Sequence, residues 1–250
     1  MNSKYVSAIA IIVMAIAVSF RIKLSVSAHA AAPTAAKSEV SEVKGRVKFD
    51  GPAPHPARVT MTAEPSCMKQ HPSGVPAEDV VVDPGGGLEN VVVYISDALP
   101  PANTEPPKTE VTFEQKGCMY YPHVVAMQAN QKLRIVNGDS TMHNIHPMPQ
   151  NNREWNKSEP PGFEVEETFP REEIAIPIRC NVHPWMKGYI AVFKHPYFAV
   201  SGKDGSFDIK NLPLGTYTLH AWHEKLGSVT KTITVGPDRA TDLELVFKTH

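Results

Sequence analysis

The chain has 250 residues, 42% of them apolar, enough for one large or two ordinary domains with a real core. Its formal charge is −1 with no cluster of Lys or Arg, which gives nucleic-acid binding no support. The 23 prolines are spread too evenly to leave room for long helices.

Lys4, an apolar run from Tyr5 to Phe20 and the small-residue site Ala28-His29-Ala30 have the layout of a secretory signal peptide over residues 1–30. Arg21 and Lys23 follow the run and fit an uncleaved anchor instead, so a membrane attachment stays open. On either reading the rest of the protein is exported, to the periplasm or another extracytoplasmic space. Cleavage would remove Lys4, Arg21 and Lys23 and no acid, taking the formal charge from −1 to −4. Residues 31–42 (AAPTAAKSEVSE) read as a linker.

Beyond the linker the pattern predicts strands. Val43, Gly45, Val47 and Phe49 share one face of the first, and Val91–Ile95 reads as a strand buried on both faces. Val111 and Phe113, then Ile174, Ile176 and Ile178, alternate with other residues, and Leu133–Val136 and Tyr189–Phe193 complete the middle of the chain. Turn clusters stand at 83–87, 137–140, 202–205 and 236–238. The expected fold class is all-β and sandwich-like, with one domain over 43–195. After His195-Pro196 come four short strands, around Phe207, Thr216–Trp222, Val229–Val235 and Leu243–Phe247. A module over 196–250 is too thin for a core of its own, so it should pack on the preceding domain or borrow strands from 43–97.

The chemistry gathers in CNVHPWM, residues 180–186, between the strand ending at Arg179 and the run starting at Tyr189. Two-residue gaps on a tight loop can turn Cys180, His183 and Met186 toward one centre. A fourth ligand must come from a neighbouring strand end, and NGDSTMHNIHPMP offers His143 or His146. A thiolate with two imidazoles and a distant thioether is a copper set. Zinc sites do not use Met, and iron–sulfur clusters need about four cysteines where this chain has 3. Each residue alone has a plainer explanation, a core Met or a surface His; their conjunction carries the reading.

The stretch CNVHPWMKGYIAV, with the upstream HNIH, resembles the ligand strands of the cupredoxins, the plastocyanin and amicyanin type of blue copper protein. The resemblance covers roughly residues 120–193. It implies a Greek-key β-sandwich with one type 1 copper, His143, Cys180 and His183 in the trigonal plane and Met186 on the axis. His146 is the alternative first ligand, and Asn144 would hold the ligand loop from outside. It also implies that the loop histidine reaches the surface through an apolar electron-exit patch, here Pro184 and Trp185 with Met142, Pro147 and Met148. The function expected is an exported carrier of single electrons between protein partners, such as a cytochrome or a periplasmic oxidoreductase, and not an enzyme. Two alternatives stand beside it: a protein that sequesters or delivers Cu(I), suggested by Met142, Met148 and the surplus histidines, and a non-redox envelope interaction module.

Cys67 and Cys118 remain. In an oxidising compartment a disulfide is the plain expectation. His71 and His123, close behind them in sequence, leave open a Cys2His2 metal site or a redox-active pair. The tail GKDGSFDIKNLPLGTYTLHAWHE resembles the carboxypeptidase regulatory-like module, a transthyretin-like, immunoglobulin-like small sandwich. GRVKFDGPAPHPARV resembles that module's opening strand, which would make the copper domain an insertion within it. His220 and His223 are expected to face solvent from a strand, and 150–163 to form a long loop near the site.

Overall fold

The computed structural model describes residues 40–249 apart from 63, 98, 100–103, 238 and 239. The expected signal or anchor at 1–30, and the linker as far as residue 39, lie outside the described residues. The last three linker positions are already strand: β1 (Val40–Asp50) begins there because Val40 and Ser41 pair with Pro213 and Leu212.

Two short strands, β2 (Arg58–Val59) and β3 (Val75–Pro76), flank α1 (Pro65–Gln70), the one helix among the described residues. Its start is set by Pro65 in the first turn and by the Glu64 side chain, which accepts the Ser66 N–H. Next come β4 (Val92–Ile95), β5 (Val111–Lys116), β6 (Met119–Tyr121), β7 (Val124–Gln128), β8 (Leu133–Asn137) and β9 (His143–Pro147). They are followed by β10 (Lys157–Glu159), β11 (Glu164–Glu167), β12 (Glu173–Arg179) and β13 (Lys187–Phe193). The chain closes with β14 (Phe198–Val200), β15 (Ser206–Pro213), β16 (Gly215–His223), β17 (Gly227–Val235) and β18 (Ala240–Lys248). The protein is all-β in class, and β10 lies inside the stretch expected to be loop at 150–163.

The strands make two sandwiches. One is built from both ends of the described chain: sheet β15-β1-β18 and sheet β14-β4-β16-β17 share a core that includes Val43, Val47, Leu88, Ile209, Leu219 and Leu245. β1 is its seam, antiparallel to β15 and parallel to β18. The four tail strands therefore gain their core from β1 and β4. The other sandwich, inserted between β4 and β14, sets β10-β9-β12-β13-β7 against β11-β8-β5-β6 around Phe113, Met127, Ile135, Ile145, Ile176 and Ile190.

Alternation explains the two unbroken apolar runs. In β4, Val93 and Ile95 enter the terminal core, while Val92 and Tyr94 face the inserted sandwich. In β13, Ile190 and Val192 enter the inserted core, while Tyr189, Ala191 and Phe193 turn outward to meet them. Phe193 stacks on Phe198 at 4.6 Å and Tyr189 meets Trp222 edge-on at 5.3 Å. Both faces of the runs 92–95 and 189–193 are covered, which leaves charged residues no place within them. Each fully buried large side chain contributes roughly 1.5–3 kcal/mol, which firmly joins the two sandwiches.

Candidate metal centre

The candidate ligands come from two adjacent strands of the inserted sandwich. β9 and β12 pair antiparallel through Pro147↔Ile178 and His146↔Arg179, so the start of β9 lies beside the loop that follows β12. The loop is closed by its own backbone: Cys180 N–H donates to the Met186 carbonyl at 3.2 Å, and Met186 N–H to the His183 carbonyl at 2.9 Å. His143, Cys180 and His183 converge, with one ligand atom from each within 4.8 Å of the others. The two Nδ1 atoms lie 2.9 Å apart, and the Cys180 Sγ is 3.7 Å from the His183 Nδ1. All three side chains are buried, as is Met186, which packs in the same core cluster as Cys180.

The sulfur is held by backbone donors. It accepts the backbone N–H groups of Asn144 and His183, each at 3.4 Å. Burial pushes the Cys180 thiol up, but hydrogen bonding from His143 and these backbone donors outweighs it and leaves the thiol below its ordinary range. His143 responds in the opposite sense: burial pushes it down, and Asp139 and Cys180 together raise it to about 9. Burial, with the charge of His143, lowers His183.

Asn144 fastens the loop from outside, accepting the Asn181 N–H and donating to Asn156. Tyr120 donates to the Asn144 carbonyl at 2.6 Å. His146, the alternative first ligand, is not in the cluster. Strand alternation puts it on the opposite face from His143, where it contacts Asn181 at 3.1 Å and Glu154 at 2.7 Å.

The surface over the loop differs from expectation. His183 is 1% exposed and does not reach solvent. A cap made by β2, α1 and β3 covers this end, and Cys67 in α1 is disulfide-bonded to Cys118 in the β5–β6 turn. Met61, Cys67 and Cys118 cluster against Trp185, whose indole N–H donates to the Cys118 carbonyl at 3.0 Å. The Trp185 and His183 rings are 5.0 Å apart. Of the expected exit patch, Met142 and Pro184 are exposed, Trp185 and Met148 half-buried and Pro147 buried.

With both sulfurs in the disulfide, the Cys2His2 alternative is overturned. His71 contacts the Gly117 carbonyl at 2.9 Å, and His123 lies between Glu224 and Glu78 at the junction of the sandwiches. Nor can Cys118 ligate a metal beside Asp139 and His143, although the three lie together, because its sulfur is spent. The tail histidines also depart from expectation. His220 is half-buried and stacked on Tyr94 at 4.9 Å, and His223 is buried with Nδ1 accepting the Lys225 and Leu226 N–H groups.

Three carboxylates escaped the sequence reading. Asp139, in the turn after β8, meets the His143 Nε2 at 2.9 Å. Glu64 lies 3.8 Å from the His183 Nε2. Glu159 pairs across the sheet with His143, is fully buried with neither oxygen hydrogen-bonded, and is raised by that burial to about 7. The spacing of Asp139 four residues before His143 was the one available signal.

No protein-family model and no curated protein matches the chain. Similar solved structures include a copper-containing nitrite reductase from Thermus scotoductus SA-01, at 21% identity and TM-score 0.33, over 38% of this chain. The match spans only 27% of the reductase's length. A purple cupredoxin from Nitrosopumilus maritimus matches at 21% identity and TM-score 0.29, over 33% of this chain and 98% of its own. An oxidised amicyanin variant matches at 16% identity and TM-score 0.31, over 40% of this chain and 97% of its own.

Proposed function

We propose that the chain is an exported type 1 copper protein that passes single electrons between protein partners. The observation that carries the reading is the convergence of a buried thiol and two imidazole nitrogens within 4.8 Å, with the Met186 thioether buried in the same cluster. One soft sulfur ligand, two imidazoles and a weak thioether form a donor set suited to copper and poorly suited to zinc or to hard cations. His143, Cys180 and His183 would hold the ion, with Met186 as the weak fourth ligand.

Copper supplies one-electron chemistry at such a site. The chain's own residues keep the ligands still. Two backbone hydrogen bonds close the loop, two more reach the sulfur, and Asn144 ties Asn181 to β9. Ligands that cannot rearrange let an electron move with little reorganisation. Burial of all four side chains keeps water away and leaves no open position for a substrate, which supports a carrier over an enzyme. The Cys67–Cys118 disulfide supports an oxidising, extracytoplasmic location. Partners of the cytochrome or periplasmic oxidoreductase kind would dock near Met142 and Pro184, the exposed members of the patch. Whether residues 1–30 are cleaved or anchor the chain decides its attachment to the membrane.

A second reading, capture or delivery of Cu(I), is favoured by one observation: the cap closes over His183, the ligand expected to meet a partner. Reduction and reoxidation of the copper-loaded protein separates the two. Reversible bleaching of an intense thiolate charge-transfer band supports the electron carrier. A colourless protein that binds and releases Cu(I) without redox cycling supports the second. Failure to bind copper in either state would leave only a non-redox envelope module.

A further inference from the structure

Both ligand histidines turn one ring nitrogen inward and the other toward a carboxylate. The two contacts are unequal. Glu64 is at ion-pair distance from His183, 3.8 Å, and its side chain is 27% exposed. Asp139 is at hydrogen-bond distance from the His143 Nε2, 2.9 Å, and its side chain is 4% exposed. The Asp139 carboxylate is itself fixed. Its Oδ1 accepts the Gly117 N–H at 2.8 Å and its Oδ2 the Cys118 N–H at 2.7 Å. The Asp139 N–H donates to Asn137 Oδ1, and the Asn137 amide donates to the Thr141 and Glu159 carbonyls. The turn after β8 is thus built to present one carboxylate to one imidazole.

We propose that Asp139 is the positioning residue of the metal centre and lowers its reduction potential. Resting on the copper reading above, the carboxylate acts in two ways. A carboxylate at Nε2 holds the ring proton there, so Nδ1 presents its lone pair to the same point as Cys180 and His183. The nearby negative charge also makes the imidazole a stronger donor, which favours the more highly charged oxidised ion over the reduced one. The anchoring N–H of Cys118 belongs to a disulfide-bonded residue, so the cap and the ligand geometry are coupled through this carboxylate. Glu64 acts on His183 in the same sense and more weakly, being farther away and partly solvated.

The test replaces Asp139 by Asn, which keeps the shape and removes the charge, and compares it with Glu244→Gln, an equal charge change on an exposed ion pair of the terminal sandwich. Asp139→Asn is expected to stay blue, to lose about 10–100-fold in Cu(II) affinity, and to lose less for Cu(I). Each tenfold loss of Cu(II) over Cu(I) moves the potential up by about 59 mV. Glu64→Gln should move it the same way by less, and Glu244→Gln should leave it in place. A blue Asp139→Asn protein with the parent's potential overturns this inference and leaves the copper reading intact. A parent that takes up no copper overturns both. Should Asp139→Asn fail to fold, nitrogen NMR of the Cu(I)-loaded parent decides: a solvent-protected proton on His143 Nε2 is expected, and its absence overturns the proposal.

Discussion

The terminal sandwich buries few polar side chains and the inserted one buries many. In the terminal sandwich the Ser201 hydroxyl donates to the Leu88 carbonyl and accepts the Val91 N–H, and the His223 Nδ1 accepts two backbone N–H groups. These groups serve the backbone, and the core around them is apolar. The inserted sandwich buries Gln115, Asn137, Asp139, His143, Asn144, Glu159 and His183. Within that set the Gln115 amide, the Glu159 carboxylate and the His183 Nε2 have no hydrogen-bond partner. An unpaired buried polar group costs about 1–3 kcal/mol, so these groups cost the inserted sandwich stability. The terminal sandwich and the shared Val92–Phe193 layer offset that loss. The terminal sandwich is not free of such atoms, since Asp208 Oδ1 and Glu224 Oε2 also lack a hydrogen-bond partner.

Substitutions can separate the two roles. The largest effect is expected for Cys180→Ser, which should abolish the thiolate charge-transfer band while circular dichroism still reports an intact β fold. His146→Ala, outside the cluster, should keep the band. Opening the disulfide with the Cys67→Ser/Cys118→Ser pair bridges the comparison, because the cap touches the site. Losing a crosslink across 51 residues should cost about 4 kcal/mol in denaturant unfolding, and the colour should weaken as His183 becomes hydrated. Leu219→Ala, in the terminal core, should cost about 3 kcal/mol and leave the spectrum unchanged. A changed spectrum there would show that the scaffold tunes the centre.

A smaller effect concerns pH. Burial lowers His223 to about 4, below its ordinary value of 6.5, so protonation favours the unfolded chain. The stability it permits is complete above pH 6.5 and declines as pH falls toward 4. Between pH 6.5 and 5.5 the loss should be about 1 kcal/mol, and His223→Asn, whose oxygen can replace Nδ1 as acceptor, should flatten that slope. The smallest change is expected at the exposed Arg134–Glu164 pair, 2.6 Å apart, where Arg134→Gln should leave the denaturant midpoint essentially where it is.

The strands and the ligand loop were legible because both leave local patterns. The continuous runs at 91–95 and 189–193 are direct images of which faces are covered, whereas the alternation expected over 174–178 holds only for Ile176 and Ile178: a bulge at Ala175, with φ 63°, turns Ile174 to the layer between the sandwiches. The choice between His143 and His146 needed the register of β9, which the sequence does not carry. The cap was not legible: α1 spans six residues with one buried side chain, Cys67, so it has no amphipathic period to detect. Its seat on His183 depends on contacts between residues far apart in the chain. Asp139 stood in a turn motif, NGDS, whose turn chemistry was sufficient explanation until the structure placed its carboxylate on His143.

The central claim is that His143, Cys180, His183 and Met186 hold one copper ion that cycles between two oxidation states. Its most direct test is Cu(II) titration of the reduced-thiol protein, followed by visible absorption and electron paramagnetic resonance. The account predicts an intense thiolate-to-copper band that saturates at one ion per chain, bleaches with reductant and returns with oxidant. Cu(II) bound without that band, with Cys180 still titrating as a free thiol, would contradict it.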